Sequence, residues 1–211
     1  MRPKKFDFDP DNTDANGIYE AAAVAGAGAL TLDGALVSGT VAAMDYARQI
    51  SIDSAGNDSG ITFTVTGTDG DGKALVEVIT GGNAAAVESA GYFKTITSIV
   101  ASAAAAGNVT IGTVDEFVSQ AIPLNHKYPS AATILADVTG TINYTIYETF
   151  DDIQASVNAV QSAHWDAITA FSAKTADVKG SATVGATAIR LVVNSFTDTA
   201  EIQLYVSQPT L

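Results

Sequence analysis

Apolar and polar residues alternate with a period of two along several short stretches of this chain, and each stretch stops at a turn signal. The alternation is cleanest in ITFTV (61–65), where Ile61, Phe63 and Val65 fall on one side of an extended chain and Thr62 and Thr64 on the other. Successive side chains point to opposite faces only on a strand, and a half-buried strand needs one apolar face. ALTLDG, ARQISIDSAG, KALVEVITGG, FKTITSIVAS and NVTIGT continue the pattern in the first half, and AATILADVTG (131–140) and INYTIYETFDD (142–152) repeat it in the second. The pattern predicts an all-β chain.

Between ITFTV and KALVEVI lies DGDG, which can be read as a calcium loop or as a turn. A helix–loop–helix calcium site needs acidic oxygens at alternating positions, a glycine at the sixth and a bidentate Glu at the twelfth. Asp69 and Asp71 lie too close to Glu77 for that spacing, and Glu77 itself falls within a strand pattern. Two Asp-Gly pairs in succession are what a hairpin with positive φ values wants. We read the segment as the turn of a hairpin.

Apolar positions near the end of each half match at a constant offset: Ile96 with Ile189, Val100 with Val193, Val109 with Ile202 and Ile111 with Leu204. That repetition predicts two tandem β-sandwiches, jelly-roll or Ig-like, at 22–118 and 131–211. They are preceded by an extended arm at 1–21 and joined by a linker at 119–130, where Pro123 and Pro129 interrupt regular structure. In FDDIQASVNAVQSAHWDAI, Ile153, Val157 and Val160 recur at helical spacing, so a short helix or a long connection is expected there. Asp151 or Asp152 would cap its start.

The arm begins MRPKKFDFDPDNTDANGIYE. If extended, it carries Phe6 and Phe8 on one side and Asp7 and Asp9 on the other, and it is either loose or ordered on a partner.

Composition narrows the function. The chain has 211 residues, 47% of them hydrophobic and 16% charged, enough to build a core. A formal net charge of -13, from 23 acidic against 10 basic residues, disfavours a phosphate backbone as partner. The basic residues cluster at one end as Arg2, Lys4 and Lys5. With no cysteine, neither a disulfide nor a thiolate site can form. The apolar stretch AAAVAGAGAL (21–30) is too short to span a membrane and poorly placed for a signal peptide, so a protein made in the cytoplasm without an export signal is expected.

No pattern marks an active site. The two histidines, His126 and His164, lie far apart in sequence, with no HxH or HExxH spacing. No serine sits in G-x-S-x-G or in S-x-x-K with its companion motifs. AGAGAL lacks the Lys-Ser/Thr of a phosphate loop. Asp151 and Asp152 are adjacent, which sends their carboxylates different ways. Tyr144, Tyr147 and Phe150 do not share one strand face, so they form no sugar platform by periodicity. The expectation is a non-enzyme with no catalytic residue, cofactor or metal.

DSGITFTVTGTDGDGKALVEVITG, followed by YFKTITSIVASAAAAGNVTIGT, resembles β-sandwich structural proteins of tailed bacteriophages, among them capsid decoration (cement) proteins and head-tail components. The resemblance is clearest over residues 47–113, and AIRLVVNSFTDTAEIQLYVSQ (188–208) shares its character. It implies a virion protein, assembled in the host cytoplasm, that bridges major capsid subunits or neighbouring virion proteins as a homo-oligomer or symmetric lattice, with no nucleic acid or membrane partner. A head-to-tail connector or tail component, and a carbohydrate- or surface-binding β module, are the alternatives. Arg2, Lys4, Lys5, Phe6 and Phe8 are the candidate partner-binding residues.

Overall fold

In the computed structural model, which describes residues 3–125, 131–156 and 158–208, the chain is all-β. After β1 (Lys4–Phe8) come β2 (Tyr19–Ala23), β3 (Gly28–Ala29), β4 (Val37–Ser38), β5 (Val41–Ser54), β6 (Thr62–Thr68), β7 (Ala74–Thr80), β8 (Ala86–Glu88), β9 (Phe93–Ala101) and β10 (Asn108–Val118). The second half supplies β11 (Ile122–Pro123), β12 (Thr133–Thr139), β13 (Ile142–Thr149), β14 (Asp166–Ala167), β15 (Val178–Ser181), β16 (Ala188–Phe196) and β17 (Glu201–Ser207). Two compact bodies result: Thr13–Phe117, and Val118–Leu211 together with Met1–Asn12.

In the body 13–117 the strand order is β10-β5-β9-β6-β7, with β2 on β10, β3 on β9, and β4 and β8 on β5. Its core gathers Ile18, Ile50, Ile52, Phe63, Val65, Phe93, Ile96, Ile99, Val109 and Ile111, all fully buried. The alternation read in ITFTV is realised, because Phe63 and Val65 reach this core while Thr62, Thr64 and Thr66 do not. At Gly67 the register against β9 shifts, and a Cβ there would meet the Thr95 carbonyl oxygen at 1.9 Å. Only glycine fits so close a backbone approach at a bulge.

The DGDG segment is the turn between β6 and β7, paired from Thr62↔Thr80 to Thr68↔Ala74. Asp69 N–H donates to the Lys73 carbonyl at 2.9 Å, and Gly72 N–H to the Asp69 carbonyl at 3.1 Å. One carboxylate oxygen of Asp69 accepts the N–H groups of Asp71 at 3.0 Å and Lys73 at 2.8 Å. Gly72 takes the positive φ, 73°, that closes the loop, the conformation glycine adopts without a Cβ penalty.

The second body holds one sheet ordered β1-β17-β12-β15 and a set β14-β13-β16 with β11 on β16. Ile134, Ala136, Ile202 and Leu204 are buried on the first, and Ile142, Tyr144, Ile146, Leu191 and Val193 on the second. The offset repeat does not carry through to equivalent topology. β9 and β10 flank β5 in one sheet, whereas β16 and β17 belong to different sheets. Val100 is 40% exposed and its sequence counterpart Val193 is fully buried.

Three local expectations differ from the structure. Residues 4–8 are not an arm apart from the domains: β1 pairs antiparallel with β17, from Lys4↔Val206 to Phe8↔Ile202. The first part of the expected linker is built into the second body, since β11 pairs with Ala188 and Ile189 and Leu124 N–H donates to the Thr187 carbonyl at 2.8 Å. The rest of it, 126–130 with His126, lies outside the described residues, as does Val157. The helix is one turn, Ala159–Ser162, with Asn158 rather than an aspartate at its N-cap and no side-chain cap bond. Asp152 instead closes its own turn by accepting the Gln154 N–H at 3.0 Å, and Asp151 accepts the His164 N–H at 2.6 Å. The Asp152 bond is of the local side-chain to backbone kind that competes with helix.

Candidate functional site

The candidate residues at the N-terminus divide between two faces. Arg2 lies outside the described residues. On β1, Phe8 is 8% exposed and Phe6 is half-buried, while Lys4 and Lys5 face solvent. Lys5 Nζ lies 2.7 Å from Asp7 Oδ1 and 5.9 Å from the centre of the Tyr205 ring. Its hydrogen bond to Asp7, more than any other neighbour, raises the Lys5 ammonium above its ordinary range. Alternation places Lys4 on the face of Phe6 and Phe8, at the exposed start of the strand, and Lys5 on the outward face with Asp7.

Buried polar groups elsewhere are occupied in holding the fold. The Arg48 guanidinium, 1% exposed, meets Asp45 through two bonds of 2.7 Å, Nε to Oδ1 and Nη2 to Oδ2. Lys94 Nζ donates to the carbonyls of Met44 and Asp45, each at 2.6 Å. Asp58 accepts from Ser54 and, at 2.6 Å, from the Ala106 N–H. Glu148 accepts the N–H and hydroxyl of Thr183 at 2.6 and 2.5 Å. Carboxylates so saturated by fixed donors hold loops in place.

Glu77, the far end of the calcium reading, accepts the N–H groups of Ala90 and Gly91 at 2.7 and 2.9 Å and so fastens β7 to the segment before β9. Among the described residues no group of three His, Asp or Glu side chains is placed to hold a metal ion. The residues around AGAGAL border an open groove of about 350 Å³ with Tyr19 and Asp33. Gly28 and Ala29 there pair with β9 as strand, with no helix N-terminus behind them.

Two surfaces carry exposed chemistry. The first is the open side of the β6–β7 hairpin. β7 ends its sheet, and the rows Val100–Thr64–Val78 and Ser98–Thr66–Val76 run across β9, β6 and β7. Val76 is 59%, Val78 61% and Val100 40% exposed. Apolar side chains beside an unpaired strand edge form a natural template for association. Arg48, Lys73 and Lys94 are the basic residues of 13–117, so this body is acidic as a whole.

The second surface surrounds Arg190. Its guanidinium lies 4.4 Å from the centre of the Trp165 ring and 5.8 Å from that of Tyr147, its cross-strand partner on β13. Trp165 Nε1 donates to the Val160 carbonyl at 3.3 Å, and His164 Nε2 stands 3.2 Å from Asp166 Oδ1, both side chains well exposed. Tyr144 points the other way, fully buried, with its hydroxyl donating to the Ala176 carbonyl at 3.0 Å. The alternation on β13 thus separates Tyr144 from Tyr147 as expected. Strand spacing alone did not bring Trp165 and Arg190 together, because they come from different elements.

No family model, curated protein or solved structure matches this chain.

Proposed function

We propose that this chain is a non-enzymatic structural protein of a tailed-bacteriophage virion, built as two tandem β-sandwiches and acting as a decoration protein that bridges and stabilises major capsid subunits. The observation that carries this reading is the open edge of β7 with exposed Val76, Val78 and Val100 beside it. Many copies on a symmetric lattice hold through modest contacts because each is reinforced by its neighbours. A strand edge with an apolar strip supplies such a contact. The sequence resemblance to virion β proteins points the same way. With β1 paired to β17, the contact with capsid runs through the β7 surface, and Lys4 and Lys5 add a cationic spot for an acidic neighbour.

The test is copy number in purified particles, by quantitative mass spectrometry against the major coat protein. A simple fraction of the coat number supports decoration. About a dozen copies, as closed-ring symmetry suggests, would replace it with a head-to-tail connector or tail component. One observation favours a second reading, a carbohydrate-binding module: the Trp165–Arg190–Tyr147 stack joins aromatic faces to polar side chains on a surface. Saturable glycan binding by the full chain, lost in Trp165→Ala, would support it.

A further inference from the structure

We propose that β1 is an exchangeable strand: the edge of β17 accepts β1 from a second copy of this chain, so that copies are joined through residues 4–8. The inference deepens the assembly reading and rests on it only in requiring that copies associate.

The argument begins with where the second body gets its strands. All of it comes from residue 118 onward except the segment 1–12. That segment contributes one edge strand of five residues, held by backbone pairing to β17 and by Phe8 and Phe6 on the inward side. The chain then changes bodies. Asp14 N–H donates to Thr113 Oγ1 at 3.0 Å, Thr113 N–H to the Asp14 carbonyl at 2.8 Å, and Ile18 N–H to the Ile111 carbonyl at 3.0 Å. Between the anchored Phe8 and the anchored Asp14 lies only DPDNT, a short segment that Pro10 keeps from joining a ladder. An edge strand joined to the rest of its chain by a short hinge is an element readily exchanged between copies.

A strand from a second copy meets the same edge and makes the same contacts as the resident one. Only the entropy of association opposes it, and crowding on a lattice reduces that cost. Charge assists. The body of the chain is acidic, and β1 brings Lys4 and Lys5, of which Lys5 feels the field of Asp137 on β12 of the receiving sheet. Since the donated strand is tethered to one body and received by the other, exchange need not be reciprocal. Passed from copy to copy, it links chains head to tail, closing into a ring or running on.

The absence of native cysteine makes the test direct. Lys5 and Tyr205 are register partners on the outward face, so Lys5→Cys and Tyr205→Cys place two thiols side by side. Equimolar single variants of the full chain are incubated together over a range of concentrations, with a second sample co-refolded from urea, and treated with a short bismaleimide. Exchange yields a species of twice the mass with a 5–205 link, severalfold more abundant than in a mixture of Lys5→Cys with Lys179→Cys, an exposed position on β15. The K5C/Y205C double variant controls for reach by cross-linking within one chain. Equal yields from the two mixtures in both samples overturn the proposal, as does a double variant that never cross-links. Particle copy number is unaffected by this result, so the two readings fail separately.

Discussion

Phe8 and Ile202 face each other across β1 and β17, from near opposite ends of the sequence, and both side chains are buried. The second body therefore depends on the N-terminus for part of its core. Phe8→Ala removes a large buried ring and leaves a cavity; at a sheet edge the loss should lie near the low end of such substitutions, about 3 kcal/mol. Lys4→Ala, at the exposed start of the same strand, should stay within about 0.5 kcal/mol. Urea unfolding monitored by Trp165 fluorescence separates the two, and equal effects would show that β1 contributes no core.

That dependence was not legible in the sequence, whereas the hairpin was. ITFTV, DGDG and KALVEVI are contiguous, so alternation and turn chemistry act on the same short segment and agree. β1 reads as an arm because its partner is β17, and no local rule links residues so far apart. The Ile153, Val157 and Val160 spacing predicts a short helix or a connection, and a one-turn helix forms at Ala159–Ser162; what spacing misplaced is the cap, since Asp152 and Asp151 spend their oxygens on the backbone of Gln154 and His164. The Arg190 surface was hidden for a related reason: Tyr147, Trp165 and Arg190 meet only once β13 and β16 pair and the segment after the short helix folds back.

Arg48 and Asp45 form a forked ion pair with the guanidinium almost wholly removed from water. Asp45→Asn removes the carboxylate that forks onto this buried cation and should cost about 3–5 kcal/mol. Replacing both partners by apolar residues, Arg48→Met with Asp45→Leu, should cost less than the single change, because no charge is stranded. Thermal and urea unfolding of the single and the double variant decide it; a double variant as damaged as the single one would mean that the pair is needed for more than neutrality.

Tyr144 links stability to alkaline pH. Burial first, and the charge of Asp177 second, push its hydroxyl up to about 12 from an ordinary 10.0. Between those values the unfolded chain releases the proton while the folded chain keeps it, so stability falls as pH rises. Its contribution is fully present below pH 10 and is lost as pH climbs through about 12. Tyr144→Phe should flatten that part of the stability–pH curve and cost about 1 kcal/mol at neutral pH through the lost bond to Ala176. Urea midpoints from pH 9 upward test the slope, and an unchanged slope would place the titration elsewhere.

The β6–β7 turn separates architecture from metal binding by a different route. Asp69→Ala removes an acceptor shared by two N–H groups and should cost about 1–2 kcal/mol, and Gly72→Ala forces a side chain into positive φ at about 1 kcal/mol. Neither loss should depend on calcium. A rise in the wild-type melting temperature with millimolar calcium, absent in Asp69→Ala, would restore the metal reading.

The exposed strip on β7 bears most directly on the assembly reading. Val76 and Val78 point away from the core, so Val76→Lys with Val78→Lys removes little packing and should change folding stability by no more than about 0.5 kcal/mol per site. Lysine on an edge strand blocks strand-to-strand docking by placing a solvated charge where a partner would approach. In an acidic body the substitutions also lower net charge, which by itself would favour association with further copies. A fall in cosedimentation with capsids despite that reduced repulsion would therefore report loss of the apolar contact. Retention by the folded double variant would move the contact off β7 and leave the Arg190 surface as the stronger candidate.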